Sequence, residues 1–412
     1  MRSMDLSKEK IFSGFTLKAL LAAVFFFLVL FSWYTLRPIR NEMAVQNEEI
    51  LPWLLGVGAM VMLLLNPIYS WIASNSNVKK VLSFSYLFFI SNIILFIFAW
   101  SILGLQESVW VSRVFYVWAN VYSFFVVSIF WVVVINLFRG VDRASYGVIS
   151  AGGSIGAFLG ATVSGLLSNT FTEWGMIFYG LISASLLLMA MFVGIYIINI
   201  SSNENVNDTA GGKSFDGIKN VITDTQLRSI AIYMYLWTAL MTVHWVTSIS
   251  IIGDWTSDSA QRISFFSQVE QVVIPLTLIT QLFLVNWFVN FFGSQRILIS
   301  YGFIFLIAFI GYFLYPNIVW VAVVTVFLRW FEYGLNKPTR EIVFSKLARN
   351  DRFKSTVLVD TFMVRIGDFS GSGFIALNKF LGVASSQIPL LAVPFAGILS
   401  YLGMKFDSKT KN

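Results

Sequence analysis

The chain has 412 residues, of which 57% are hydrophobic and only 12% are charged, and its formal net charge is +7. A soluble protein of this length needs many more charged side chains on its surface, so this composition excludes the ordinary soluble classes and indicates that lipid is the main solvent. The chain contains no cysteine, which excludes disulfides, thiolate metal sites and thiol nucleophiles.

Apolar segments of about 20 residues, each long enough to cross the hydrocarbon of a bilayer, recur along the whole chain. The first six predicted spans are 15–36, 53–72, 81–103, 109–138, 145–167 and 176–200. The second six are 227–252, 265–292, 297–315, 318–344, 356–381 and 388–404. We therefore predict an all-α membrane protein with twelve transmembrane helices, in which most of the aromatic side chains face lipid or the membrane interfaces.

A hydrophilic stretch divides these spans into two sets. We predict an N-terminal six-helix half at 1–200, a cytoplasmic linker at 201–226 and a C-terminal six-helix half at 227–412. Asp-Arg dipeptides precede the fifth span at 142–143 and the eleventh at 351–352, which indicates an internal repeat. The loops at 70–80 and 286–296 resemble the loop pattern of the major facilitator transporters, so we expect that fold.

Lysine and arginine gather in the loops at one end of the predicted helices, whereas the opposite loops carry mainly acids: Glu48, Glu49, Glu107, Glu173, Asp254 and Asp258. Because positively charged loops stay in the cytoplasm, we expect a multi-pass protein of the bacterial inner membrane with both termini cytoplasmic. This topology accounts for the net charge, so no nucleic-acid partner is expected. We also expect a monomer in the lipid bilayer, with no cofactor and no metal.

Ionisable side chains inside a membrane are the best indicators of a solute path, and the first cluster stands at the end of the first span. Arg37 and Arg40 lie three residues apart on one helix face, beside Glu42. A bound anion such as phosphate would relieve the repulsion between the two guanidinium groups. We predict that both arginines bind the solute and that Glu42 acts in gating or coupling. The alternative is that both arginines extend to the membrane interface beside Glu42.

The tenth span is too polar to face lipid, since it carries Arg329, Glu332, Lys337, Arg340 and Glu341. The helical rise places Arg329 and Glu332 near the midplane, with Lys337 and Arg340 closer to the cytoplasm. We predict that the three cations bind the solute and that the two acids act in gating or coupling. The alternative is a structural role as intrahelical ion pairs, Arg329 with Glu332 and Lys337 with Glu341.

The eleventh span contributes Asp360, Arg365 and Asp368. We predict that Arg365 binds the solute and that both acids act in gating or coupling. An exchange of partners among the charges of the tenth and eleventh spans would then distinguish the inward-open state from the outward-open state: Arg329, Glu332, Arg365 and Asp368.

Three isolated residues complete the candidates for gating or coupling: Arg113, His244 and Glu270. Arg113 and Glu270 are either vestibule residues or interfacial anchors. His244 is the only histidine, and it is either a packed, hydrogen-bonded side chain or part of a proton relay.

Small residues recur every four positions in the fifth span, at Gly152, Gly156 and Gly160. A face of this kind allows two helices to approach closely, so we predict a packing role for it.

Residues 337–368 resemble the second-half signature of the ATP/ADP translocase family of plastids and intracellular bacteria. The match includes Lys-Pro-Thr-Arg-Glu at 337–341, a basic turn, and Asp-Thr-Phe-Met-Val-Arg-Ile-Gly-Asp at 360–368. Tyr-Thr-Leu-Arg-Pro-Ile-Arg-Asn-Glu at 34–42 is similar to the first-helix motif of the same family. The resemblance implies a twelve-helix carrier that exchanges nucleotides. It also implies anion contact or gating for Arg37, Arg40, Lys337 and Arg340, and charge pairing for Glu341, Asp360, Arg365 and Asp368.

The sequence therefore predicts a secondary active transporter that moves a small anionic solute, such as a nucleotide, by alternating access of its two halves. Chemical catalysis is not expected. One alternative is an importer or exporter of another organic anion that is coupled to an ion such as a proton. The other is a membrane scaffold with the same fold that does not transport.

Overall fold

The computed structural model describes residues 17–105, 108–137, 143–201, 225–345 and 358–405. These residues are almost entirely helical, and they contain no β-strand. The α-helices of nine or more residues are α1 (Leu17–Gln46), α2 (Leu51–Asn75), α3 (Val78–Ile97), α4 (Val109–Leu137), α5 (Arg143–Leu166), α6 (Ile177–Ser201), α7 (Thr225–Trp255), α8 (Ser259–Ile279), α9 (Val285–Leu314), α10 (Ile318–Phe331), α11 (Lys337–Ser345), α12 (Val364–Phe380) and α13 (Ile388–Met404).

Nine helical runs among the described residues are long and apolar enough to cross a membrane. One of them, Ser259–Leu314, has 56 residues, which is more than twice the length that a single crossing needs. Gly293 interrupts this run with φ 77° and ψ 150°, a backbone conformation that favours glycine. The apolar helix Ile388–Met404 is shorter, at 17 residues. The predicted all-α membrane fold is thus confirmed.

Two helix boundaries differ from the sequence prediction in a way that matters for the candidate site. α1 continues to Gln46 instead of ending near residue 36, although Pro38 lies inside it. The charged cluster that we placed at the end of the first span therefore lies within a helix. α8 begins at Ser259, before the predicted start at 265, so Arg262 is helical as well. In both places the helix continues inside the protein because its polar side chains have buried partners. A prediction from hydropathy alone ends the span there.

The described residues form two compact units. The first contains the described parts of Met1–Met43, Asn66–Thr209 and Asp258–Ile274, and the second those of Ala44–Leu65, Ala210–Ser257 and Pro275–Asn412. Most of α8 thus belongs to the same unit as α1. The predicted six-helix halves are a different division, at a linker whose residues 202–224 lie outside the described part of the chain, and they stay a prediction.

In the first unit the small-residue face of α5 lies directly against the backbone of α1. A Cβ atom added to Gly152 would stand 2.5 Å from the carbonyl oxygen of Ala23, and one added to Gly160 would stand 2.7 Å from that of Phe31. Gly156 faces the Phe27 backbone in the same way. The predicted packing role of these glycines is confirmed. On the other side of the unit, α3 packs on α4 and α6.

The second unit repeats this arrangement with α12 against α7. A Cβ atom added to Gly367 would stand 2.5 Å from the carbonyl oxygen of Tyr235, and one added to Gly371 would stand 2.7 Å from that of Ala239. α13 packs on both α7 and α9. The close approach of α12 fixes the face of α7 that carries the polar side chains described below.

The tyrosines correct one expectation about the aromatic residues. Side chains such as Trp53, Trp110 and Phe380 are strongly exposed, as residues in contact with lipid should be. Seven tyrosines are instead fully buried: Tyr86, Tyr116, Tyr122, Tyr179, Tyr233, Tyr301 and Tyr312. Several of their hydroxyl groups donate to backbone carbonyls of other helices, as Tyr86 does to Val126 at 3.0 Å. A phenol buried in an apolar bundle needs such a partner, which explains why these rings hold helices together.

Candidate functional site

Two buried ion pairs join α1 to α8 within the first unit. The guanidinium of Arg262 donates from Nε to Oε2 of Glu42 at 2.8 Å and from Nη2 to Oε1 at 2.5 Å. Ser259 adds a third hydrogen bond to Oε1 of Glu42 at 2.7 Å. One turn closer to the start of α1, Nε of Arg37 lies 3.2 Å from Oε1 of Glu270. We call these contacts the α1–α8 ion pairs.

Because they are buried, the α1–α8 ion pairs strongly oppose separation of the two helices. Glu42 and Glu270 are almost completely buried, Arg262 is 7% exposed, and only the Arg37 side chain is in part accessible. A buried pair gives little net stability relative to apolar residues, but removal of one partner leaves an uncompensated charge and costs about 3–5 kcal/mol. The two helices cannot separate here unless water, a proton or another ion takes over these charges.

Arg40 lies on the same helix as Arg37 but binds neutral acceptors. It donates to Oδ1 of Asn120 at 2.7 Å and to Oδ1 of Asn41 at 3.0 Å, and its guanidinium stands 4.8 Å from the centre of the Tyr116 ring. These amide and phenol groups hold the guanidinium in a defined orientation. An anion that reached this position would find a cation that is already held in place.

A second buried network occupies the place where α10 continues into α11. A π-helical turn, Glu332–Asn336, joins the two helices. Oε1 of Glu332 lies 3.4 Å from Nη1 of Arg340, and Asn336 donates to Oε2 of Glu332 at 2.5 Å. The hydroxyl of Tyr233 on α7 donates to Oδ1 of Asn336 at 3.1 Å.

This network combines features that are common at functional sites. Single π-helical turns inside helices are enriched there. Arg340 is 5% exposed, and it contacts the sulfur of Met234 and lies 5.7 Å from the Trp237 ring centre, both on α7. The alternative interpretation paired Glu332 with Arg329, and the structure shows Glu332 paired with Arg340, two turns further along the chain.

The third predicted cluster is more accessible. Nη1 of Arg365 lies 2.9 Å from Oδ2 of Asp368 on α12, and Thr242 of α7 donates to Oδ1 of the same carboxylate at 3.3 Å. Both charged side chains are about one quarter exposed. This pair is therefore less enclosed by protein than the other two clusters. The side chain of Asp360 lies outside the described part of the structure.

His244 stands in a closed set of hydrogen bonds. Its Nδ1 lies 2.9 Å from the hydroxyl of Tyr312 and 3.3 Å from that of Ser248, and these two hydroxyls are 3.0 Å apart. The side chain is 2% exposed. This arrangement favours the packed, hydrogen-bonded interpretation over the proton relay, because the neighbours that hold Nδ1 are weakly acidic hydroxyl groups.

The remaining candidates are less constrained. Arg113 on α4 is half-buried, with its guanidinium 5.1 Å from the Trp110 ring centre, a position that suits an interfacial anchor. Arg329 and Glu341 are half-buried, and Lys337 is exposed.

The structure thus changes the expected balance of charge. We predicted that six cations bind the anionic solute. Three of them are each paired with a carboxylate of the protein: Arg37, Arg340 and Arg365. The repulsion that we expected between Arg37 and Arg40 is relieved on one side by Glu270. Any anion that binds Arg37 or Arg340 has to compete with a resident carboxylate.

Sequence reasoning missed Arg262, the partner of Glu42, and the neutral residues Asn120, Tyr116 and Tyr233. Arg262 was placed in a loop, outside the predicted start of its span. One signal was available, because Arg262 is a basic residue among loops that otherwise carry acids. A basic residue in loops that carry mainly acids goes against the charge bias that sets the topology. Such a residue indicates that a specific partner holds it in place.

The chain matches no protein-family model, and no curated protein is similar to it in sequence. Solved structures do resemble it. A mutant of the nucleoside transporter NupG superposes with a TM-score of 0.68 at 12% identity, over 94% of this chain and 99% of that chain. The POT family transporter PepTSo gives 0.66 at 12% identity, over 94% and 97%.

A bacterial homolog of the human lysosomal transporter Spinster, solved inward-facing and unoccupied, gives a TM-score of 0.60 at 14% identity, over 96% of this chain and 98% of that chain. Identities this low establish the fold alone. The chain has the fold of these major facilitator-type transporters.

Proposed function

We propose that the chain is a secondary membrane transporter that moves an organic anion by alternating access, with the α1–α8 ion pairs as its outer gate. The observation that supports this is the placement of two buried ion pairs between a helix of the predicted N-terminal half and a helix of the predicted C-terminal half. Charges that are buried at a contact between rigid halves can hold the contact closed and release it when they are exchanged.

We further propose twelve spans, with both termini in the cytoplasm of a bacterium. The number follows when the run Ser259–Leu314 counts as two crossings, separated at Gly293, and when α12 and α13 count as one crossing each. On this topology the Glu42 end of α1 and the start of α8 lie near the outer surface, so the gate would close the outer side.

The proposed solute carries a phosphate or carboxylate group. Arg40 supports this because its guanidinium is held in a defined orientation by Asn41 and Asn120. Arg340 and Arg365 support it because a solute anion can replace Glu332 or Asp368 as their partner. The resemblance to the ATP/ADP translocases makes nucleotides the first candidates, and exchange of one nucleotide for another the first candidate mode.

A disulfide across α5 and α8 tests the gate, since the chain has no native cysteine. A Cβ atom added to Gly165 would lie 3.0 Å from Cβ of Ser267, close to the separation of about 3.8 Å in a disulfide. Oxidation of the Gly165→Cys, Ser267→Cys protein should abolish uptake of labelled ADP into ATP-loaded proteoliposomes, and reduction should restore it.

The matched control is Ser32→Cys with Ser183→Cys, whose hydroxyl oxygens are 2.8 Å apart between α1 and α6. This bridge lies within one predicted half and should leave uptake unchanged. Full uptake by the oxidised Gly165–Ser267 protein would refute the gate. If ADP is not transported at all, a panel of sugar phosphates and carboxylates identifies the solute by the rise in melting temperature that a ligand of the folded state produces.

Coupling to protons is the second candidate, and the burial of Glu270 and Glu332 favours it. Each of these carboxylates holds an arginine in a water-poor site, so that a proton on the carboxylate would release the arginine. A transporter of this kind needs a pH gradient and gains nothing from a counter-solute inside the vesicle. An exchanger needs no pH gradient, and a counter-solute inside the vesicle stimulates its uptake.

A further inference from the structure

A cavity of about 650 Å³ lies in the second unit, and none of the predicted solute-binding cations is among the residues that line it. Helix α7 provides one wall with Thr247, Ser250 and Asp254. These positions follow the i, i+3, i+7 spacing of one helix face, so the three side chains share a direction. Three further segments, at 48, 316–318 and 385–386, complete the lining. All four segments belong to the side of the membrane that the sequence predicts to be outside.

The cavity is acidic and has no resident counter-charge. Glu48 and Asp254 contribute carboxylates, and no lysine or arginine is among the residues that line it. Within the described part of the chain, neither carboxylate forms an ion pair or a hydrogen bond. This contrasts with Glu42, Glu270, Glu332 and Asp368, each of which holds an arginine. Two unpaired carboxylates around one cavity attract a cation and repel an anion.

Two hydroxyl groups in the same wall point to a ligand. Thr247 is 5% exposed and Ser250 is 8% exposed, and both line the cavity. Neither hydroxyl has a hydrogen-bond partner among the described residues. Buried polar groups are usually satisfied, and a nearly buried hydroxyl on α7 could bond to the carbonyl of the preceding turn. Hydroxyls that turn towards a polar cavity instead are available to a bound molecule or to its water.

The cavity also has an aromatic wall. Trp255 lines it next to Asp254. An aromatic face together with carboxylates is the usual arrangement for binding organic ammonium groups, since the ring attracts the cation electrostatically while it tolerates the apolar substituents. A bare metal ion fits less well, because the described residues contain no group of three metal-ligating side chains. The volume is within the range of about 300–1,000 Å³ for small-molecule sites.

From these observations we propose that this cavity is an outward-facing binding site for a small organic ammonium ion, with Glu48 and Asp254 as its counter-charges. The site is separate from the path of the anionic solute and does not depend on the proposed transport. Its ligand is an external cation, and the positive charges of the arginine-rich sites would repel that ligand.

Binding of choline to the purified full-length protein tests the proposal. Choline should raise the melting temperature in a saturable way, whereas its neutral carbon analogue, with carbon in place of nitrogen, should not. The variants Glu48→Gln and Asp254→Asn should each raise the Kd for choline by about tenfold, which is the effect of losing one charge contact in a partly desolvated site. Trp255→Leu should also weaken binding.

The matched control is Glu173→Gln, because Glu173 is an exposed acid on the same predicted side, outside the cavity lining. This variant should bind choline like the unmodified protein. Sodium chloride at the same concentration separates site binding from general screening of charge. The proposal is overturned if neither choline nor tetramethylammonium binds, if sodium produces an equal shift, or if the Glu48→Gln, Asp254→Asn double variant binds choline unchanged.

Discussion

Two pairs of acidic side chains, one pair in each unit, are held in opposite ways. In the first unit Glu42 and Glu270 are buried, and each is bound to an arginine of the facing helix. In the second unit Glu48 and Asp254 line a cavity without a cationic partner among the described residues. Glu48 follows Glu42 by less than two helical turns of sequence. Neighbouring acids in a sequence can therefore serve different purposes, one pair to hold helices together and the other to present charge to a ligand.

The comparison predicts its largest effect at Arg262. Replacement by alanine leaves the carboxylate of Glu42 buried without a counter-charge and should lower the free energy of unfolding by about 3–5 kcal/mol. Thermal denaturation in detergent measures this loss. The double variant Glu42→Leu, Arg262→Met should recover most of it, since apolar residues of similar volume can replace a buried pair. Arg296→Ala, at an exposed arginine of α9, is the control and should have little effect.

A smaller effect is expected at Arg37, whose side chain is 20% exposed. Water can partly solvate Glu270 when Arg37 is replaced by alanine, so the loss of stability should be about 1–3 kcal/mol. A double-mutant cycle with Glu270→Gln measures the coupling between the two residues in the same denaturation assay. A coupling energy of zero would mean that the two side chains do not depend on each other, and the second ion pair would then have no role in the gate.

The smallest effect is expected at the cavity acids. Glu48→Gln and Asp254→Asn break no ion pair or hydrogen bond of the described residues, so each should change the free energy of unfolding by no more than about 0.5 kcal/mol. A strong destabilisation by either substitution would show that the carboxylate has a structural partner. The contrast between the two sets of acids would then disappear.

Much of the fold could be predicted from the sequence because the bilayer sets a fixed length scale. Apolar runs of about 20 residues located the helices, and the four-residue spacing of Gly152, Gly156 and Gly160 predicted a close helix contact, which α5 makes with α1. The hydropathy prediction failed where polar residues are buried against a hydrogen-bonding or charged partner. It ended the first span near Arg37, although α1 continues to Gln46.

The candidate site was less predictable, since its contacts join distant parts of the chain. Glu42 and Arg262 are separated by 220 positions, and Arg37 and Glu270 are separated by 233 positions. Periodicity along a helix can show that a charge is buried but cannot identify its partner on another helix. The expectation that most aromatic side chains face lipid fails for the same reason at Tyr116 and Tyr233, which lie inside the bundle next to Arg40 and Asn336.

The central claim is that the contact between α1, α5 and α8 opens during function. Ser267 is fully buried on α8, and Ser183 is equally buried on α6. In this cysteine-free chain, a single Ser267→Cys should react with a membrane-impermeant maleimide from the outer side of intact cells, and faster still when Glu42→Gln weakens the gate. Ser183→Cys should stay protected in both backgrounds. Equal protection of the two cysteines, with no acceleration by Glu42→Gln, would contradict the account.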